Sequence, residues 1–261
     1  RTPFAALSAG VMLMIIVLLV APLFRYLPNA AMAAVLFMVA WGIVDTHHIK
    51  QIAKTSRPET VVLLATFIAT LLLDLEFAIM LGVFLSLVVY LSQASHPQVL
   101  VRAPDPSLPK HRLNTKPSLP ECPQFKLVRI DGALFFGAVN FVAERLRIIA
   151  RRSPQQKHLL LLVRAIGFVD VAGAELFARE AHNRRNMGGQ LYLHALKEEP
   201  RKTLERGGYL DDIGDENIFV SKSEAIQHIF ERLDKGICAR CDKRIFLECE
   251  SVPRRKPLLE S

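Results

Sequence analysis

The sequence lacks the short signatures of most soluble enzymes: it has no G-x-S-x-G elbow, no P-loop and no G-x-G-x-x-G turn. Hydrolase, nucleotide triphosphatase and dinucleotide chemistry have no anchor, and we read no enzyme. Zinc-finger, helix-turn-helix and aromatic-plus-basic RNA patterns are missing too, so a net charge of +8 does not by itself point to nucleic acid as a partner. Cysteine is scarce, with four in 261 residues. The most telling shortage is of charge in the first third. Residues 4–23 carry none, at about the ~20 apolar positions a helix needs to cross ~30 Å of hydrocarbon.

What is present there is a series of further apolar runs. One extends from Ala30 to Val44, and another from Thr60 to Leu91 is broken only by Asp74 and Glu76. At ~1.5 Å per residue the latter would be roughly 48 Å long, too long for one pass. The two acids are therefore read as the turn of a helical hairpin, with an intramembrane proton relay as the alternative. Four spans result, the last two short enough to need neighbouring helices or a thinned bilayer. Lys50, Lys54 and Arg57 gather between spans two and three, Arg1 precedes span one, and Arg25 alone follows it. By the positive-inside rule this predicts a cytoplasmic chain start, 47–59 loop and C-terminal half. His47 and His48 beside Asp45 read as a solvated helix end or a pH-sensitive contact. The first span is too long for a signal-peptide core. With Arg rather than Met at position 1, the expectation is a fragment or a processed product.

From Ser95 onward the chain changes solvent. Residues 1–95 hold five Lys/Arg and four Asp/Glu, leaving 28 against 21 for 96–261, a basic module suited to an anionic lipid surface. Seven of the fifteen prolines fall between Pro97 and Pro123, which reads as a semi-rigid linker over 96–124. The segments KLVRID and GALFFG predict a β-hairpin turned at Asp131 and Gly132. Helical spacing follows at 139–151, 172–186, 199–206 and 223–233, with strands at 158–163, 190–196 and 218–220. Ser221 or Ser223 is a plausible N-cap, and Gly188–Gly189 a helix end. An α/β domain over 125–234 is expected, its partly parallel sheet covered by helices, with a basic cysteine-containing tail over 235–261.

The order of hairpin, helix, strand, helix, strand and helices resembles the STAS domain of anti-anti-sigma factors and of sulfate permease (SulP) family transporters. The segment IGFVDVAGAEL, 166–176, looks like its signature, with Asp170, Ala172 and Gly173 at the key positions. In the first third, RTPFAAL, YLPNAAMAAVLFMVAWGIVD and LLLDLEFAIMLGVFLSL resemble the last four helices of such a transporter. The resemblance implies spans eleven to fourteen of a fourteen-span, 7+7 inverted-repeat protein, multi-pass in a bacterial-type inner (plasma) membrane. Its anion would be held between half-helices upstream of Arg1, and the assembly would be a homodimer. The implied function is secondary active transport of an inorganic anion, sulfate first, then bicarbonate or a C4-dicarboxylate. A membrane-tethered STAS scaffold that recruits a cytoplasmic protein without transport is the alternative. Where the anti-anti-sigma pattern carries a phosphorylatable Ser, this chain has Ala172, which excludes that partner switch. Asp170 reads as a helix-start residue or a partner contact, and nothing singles out Ser221, Ser223 or Thr203 for modification.

Cys238, Cys241 and Cys249 form C-x2-C-x7-C. Such thiols can hold zinc or an iron–sulfur cluster, can sense redox change, or can be plain tail cysteines. A fourth ligand is the difficulty: no His follows, His228 lies ten residues upstream, and Cys122 sits far off in the linker. No other cofactor is expected.

Overall fold

The computed structural model describes residues 3–24, 28–105, 107, 113–116 and 118–254. Arg1 and Arg25, two of the charges used for topology, and the tail beyond 254 lie outside them. Two compact units divide the chain, Arg1–Val83 and Phe84–Ser261.

In the first unit apolar sequence becomes helix: α1 (Pro3–Phe24), α2 (Asn29–Ile43), α3 (Thr46–Thr55), α4 (Arg57–Leu72) and the start of α5 (Leu75–Ala94). Three stretches, Phe4–Pro22, Asn29–Thr55 and Leu75–Ala94, are long and apolar enough to cross a membrane. At 16 residues α4 reaches about 24 Å, short of the ~30 Å hydrocarbon core. Large side chains such as Leu18, Phe37 and Trp41 stand exposed, an outward apolar surface that lipid would cover. The break between α4 and α5 falls at residues 73 and 74, with Glu76 in the first turn of α5.

One expectation fails here. The 47–59 segment is not a loop: Asp45 Oδ1 accepts the amides of His47 and His48 at 3.0 Å each and starts α3. Ser56 then caps α4 by accepting from Glu59 N at 3.4 Å. Small residues let α4 and α5 approach. Ala69, Ala78 and Gly82 are buried, and a Cβ on Gly82 would lie 2.9 Å from Thr66 Oγ1, the small-xxx-small contact of membrane helices.

The second unit is built on a six-stranded sheet of order β2-β1-β3-β4-β5-β6. Its strands are β1 (Gln98–Pro104), β2 (Leu113–Asn114), β3 (Phe125–Asp131), β4 (His158–Leu162), β5 (Leu191–His194) and β6 (Ile218–Phe219). β1 runs antiparallel to β3, while β3 to β6 are parallel, joined through α6 (Phe136–Arg152), α7 (Val171–Asn186), α8 (Glu198–Arg206) and α9 (Tyr209–Ile213). After β6 come α10 (Lys222–Arg232), capped by Ser221, and α11 (Lys235–Arg240).

Alternation along the strands sorts side chains to two cores. Val128, Ile130, Leu159, Leu161, Leu191 and Leu193 pack with α6 and α7. Phe125, Leu127, Leu160 and Tyr192 face α10 and the tail residues Cys238, Ile245, Phe246 and Val252. Each fully buried Leu or Ile contributes about 1.5–3 kcal/mol, so the tail to residue 254 is part of the fold.

Two further expectations are corrected. The proline-rich stretch is not only a spacer, because Gln98–Pro104 is a strand of the sheet. Pro104 is the last residue of this strand, and Val99 and Val101 pack against the first core. The predicted hairpin at Asp131–Gly132 does not form. The antiparallel partner of β3 is β1, with Gln98 opposite Asp131, and the chain after Gly132 instead places Leu134 in a parallel bridge with Val169.

Candidate functional site

The signature segment sits where α7 begins, at the carboxyl ends of the parallel strands, the edge on which open α/β sheets bind ligands. Backbone bonds first fix the approach. Leu134 N donates to Phe168 O at 2.9 Å, and Asp170 N donates to Leu134 O at 3.1 Å. Asp170 then serves two helices. Its Oδ1 accepts from Gly173 N at 2.8 Å, capping α7. Its Oδ2 accepts from Phe136 N at 2.8 Å, satisfying an amide at the start of α6, whose own N-cap residue Phe135 supplies no side-chain bond. Each helix start leaves orphan N–H donors, and one carboxylate answers a donor from each.

Gly173 has a steric reason. A Cβ there would stand 2.4 Å from Leu134 O, so only glycine lets α7 come this close. Ala172 is partly buried and packs on the first core. The three signature residues thus lie together, as a joint between α6, α7 and the Leu134–Val169 bridge.

Several large apolar side chains at the carboxyl end of the sheet are exposed. Phe136, Phe168, Val171 and Val220 are 75%, 57%, 65% and 85% exposed, and all four follow the carboxyl ends of strands or begin helices there. Sequence reasoning missed them, because a lone apolar residue in a loop carries no periodic signal. Nearby, His194 ends β5. Burial pushes its pKa below the usual range, and Arg164 and Lys222 push the same way. Its buried Nδ1 has no hydrogen-bond partner among the described residues. A cleft of about 680 Å³ along α6 and α7 is lined by Asn140, Arg147, Arg179 and Met187. Glu144 pairs with Arg147 and Glu180 with Arg184, so much of its charge is already answered.

The tail thiols are separated in local structure. Cys238 is buried on α11, Cys241 caps that helix, and Cys249 lies in the 3-10 turn Leu247–Ser251. Among the described residues no group of three or more His, Cys, Asp and Glu side chains stands in the arrangement of a metal site. His228, weighed as a fourth ligand, lies instead against Tyr192 and Phe219.

Comparison with known proteins adds family. The model of the sulfate permease family matches residues 1–66, and that of the STAS domain matches residues 116–225. The protein YvdB of Bacillus subtilis (strain 168) is 24% identical over 220 residues, 84% of this chain and 39% of that protein. Sulfate transporter 1.3 of Arabidopsis thaliana is 22% identical over 247 residues, 91% of this chain and 38% of its own length. This chain therefore spans about two-fifths of the curated relatives it matches. Of solved structures, the murine anion transporter Slc26a9 in its inward-facing state aligns with a TM-score of 0.60 at 17% identity, covering 72% of this chain and 30% of that one. A likeness at that identity speaks for the fold alone.

Proposed function

We propose, since the chain belongs to the sulfate permease family and carries its STAS domain, that it forms part of a secondary active inorganic anion transporter. That family is one of transporters, not of enzymes. The observation carrying the reading is the order along one chain: apolar helices matching the permease at 1–66, then a STAS match at 116–225. Sulfate is the favoured substrate on the names of the relatives, with bicarbonate and C4-dicarboxylates as the competing anions. No substrate ligand is assigned within residues 1–261. In this reading the protein is a homodimer in a bacterial-type inner membrane, with lipid around α1 to α5 and the STAS domain and C-terminus cytoplasmic.

The STAS domain is given a regulatory role, and the exposed side chains Phe136, Phe168 and Val171 near the signature support contact with a protein partner. Ala172 leaves no hydroxyl for a phosphate-driven switch at that position. The test is uptake of labelled sulfate, bicarbonate and succinate into proteoliposomes holding the full-length protein. Sulfate accumulating above empty vesicles is expected; if no anion accumulates, the transporter reading falls. The same exposed side chains also support the scaffold reading, in which the protein binds a partner and carries nothing. Retention of a cytoplasmic partner by a protein that fails every uptake assay would favour it.

A further inference from the structure

The stretch Asn29–Thr55 is apolar enough in sum to cross a bilayer, yet it is not one helix. Val44 and Asp45 have ψ of 102° and 87°, far from the about −42° of a helix. Asp45 starts α3 on a new axis with its carboxylate. Ser56, at φ −140° and ψ 110°, ends it. The corner beyond is tied, because Ser56 N donates to Ile52 O at 3.0 Å and Thr60 Oγ1 donates to Ser56 O at 2.7 Å. The ten residues of α3 are about 15 Å long, and an apolar helix follows or precedes them at each end.

The two faces of α3 differ. Ile49, Ile52 and Ala53 recur at i, i+3 and i+4 on one side, while His47, Lys50 and Lys54 share the opposite side by the same periodicity. Ile49 remains 43% exposed, and Lys50, Lys54 and Arg57 are exposed as well. Among the described residues no carboxylate pairs with these three cations. The acids that flank them serve helix starts instead: Asp45 caps α3, and Glu59 lies in the first turn of α4. Depth is marked independently by Trp41, the one tryptophan of the chain. It stands exposed near the end of α2, and tryptophan favours the headgroup level of a bilayer. The helix breaks three residues later.

We propose that α3 lies flat in the membrane surface and that Lys50, Lys54 and Arg57, with His47 beside them, bind the phosphate headgroups of anionic phospholipid. A short helix with one apolar and one basic face takes this position, its apolar side at the boundary of the acyl chains. The isoleucines set the depth. The cations choose the headgroup, since each Lys or Arg near an anionic surface is worth about a factor of five in binding. The proposal rests on α1 to α5 lying in lipid, and not on which anion the protein carries.

The test uses the full chain reconstituted in phosphatidylcholine vesicles containing phosphatidylglycerol, in a Trp41→Phe background so that one new tryptophan can be read at a time. Ile49→Trp should be quenched most by lipids brominated near the headgroup end of the chain, and Gln51→Trp, on the polar face, much less. Equal quenching of the two, or strongest quenching of Ile49→Trp by lipids brominated near the chain ends, would overturn the flat placement. Headgroup choice is read by brominating either phosphatidylglycerol or phosphatidylcholine. Phosphatidylglycerol should quench Ile49→Trp in excess of its share of the lipid. Adding Lys50→Gln and Lys54→Gln should lower that excess about fivefold per lysine, and about 1 M salt should shrink it too. These lysines are exposed, and an unchanged quenching depth shows that the helix has stayed in place. No preference in the parent, or the same preference without the lysines, would overturn the headgroup site and favour an acidic protein segment as the occupant. Leu18→Trp, midway along α1, separates this from failure of the membrane reading itself: it should be quenched by the deepest bromines, and if it is not, that reading falls and the proposal with it.

Discussion

Asp170 is the most economical place to test the joint between α6 and α7. Replacing it by Ala removes the α7 cap, at about 0.5–2 kcal/mol. It also removes an acceptor for Phe136 N, at about 0.5–1.5 kcal/mol, reduced because water can reach that amide. The combined cost is centred near 2 kcal/mol, or about 30-fold in a local opening equilibrium. Hydrogen exchange read by mass spectrometry on the full chain resolves where this falls. Asp170→Ala should speed exchange in the first turns of both α6 and α7, two segments 34 residues apart. Asp170→Asn separates the two bonds. Its single amide oxygen can cap only one helix, so protection should survive at α7 and drop at α6. Loosening confined to α7 in the alanine variant would refute the idea that one carboxylate serves both helices.

Gly173→Ala should cost about 1–3 kcal/mol by overpacking, because the new methyl group meets the Leu134 carbonyl at 2.4 Å; chemical unfolding of the soluble half measures it, and a neutral result would mean that α7 can slide. Gly82→Leu should lower the thermal midpoint of the detergent-solubilised chain by prising α4 from α5 at Thr66, whereas the same change at Gly42, where a Cβ meets nothing within 4 Å, should leave it unmoved. Burial depresses the pKa of His158 and of His194, and neighbouring cations lower both further. The unfolded chain therefore takes up these protons first as pH falls from about 6.5. Stability of the soluble half should decline through that window and be regained above it. The double variant His158→Gln with His194→Gln should flatten the curve, and an unaltered slope between pH 7 and 5 would count against it.

Fold class was legible where the chain's own periodicity sets the structure. The uncharged run at the N-terminus and the LLLL core of β4 need no partner to declare themselves. Pairing was less legible. Asp131–Gly132 is a genuine turn signal, yet β3 pairs with β1, because burying Val99 and Val101 over the first core outweighs a local turn preference. The proline-rich stretch hid that strand, since proline content says nothing about the alternation of the residues before Pro104. At the site, Asp170 and Gly173 could be picked out, but not their reasons. The Leu134 carbonyl that forces glycine, and the Phe136 amide that takes the second carboxylate oxygen, come from a segment more than thirty residues earlier. The packing of Cys122 against tail residues was hidden for the same cause, separation along the chain from a tail that folds back to meet it.

The joint also explains why the position held by Ala172 can be silent here without the signature falling apart. A phosphoserine switch adds charge to a helix N-terminus whose amides are available to meet it. In this chain the Asp170 carboxylate already accepts the Gly173 amide and one amide of α6, and the Ala172 methyl group lies against the core. A new anion at that turn would face the Asp170 carboxylate and disturb two helices, not one. The segment retains the close approach and the cap, which hold the starts of α6 and α7 in fixed relation. What remains is a rigid joint between the two helices.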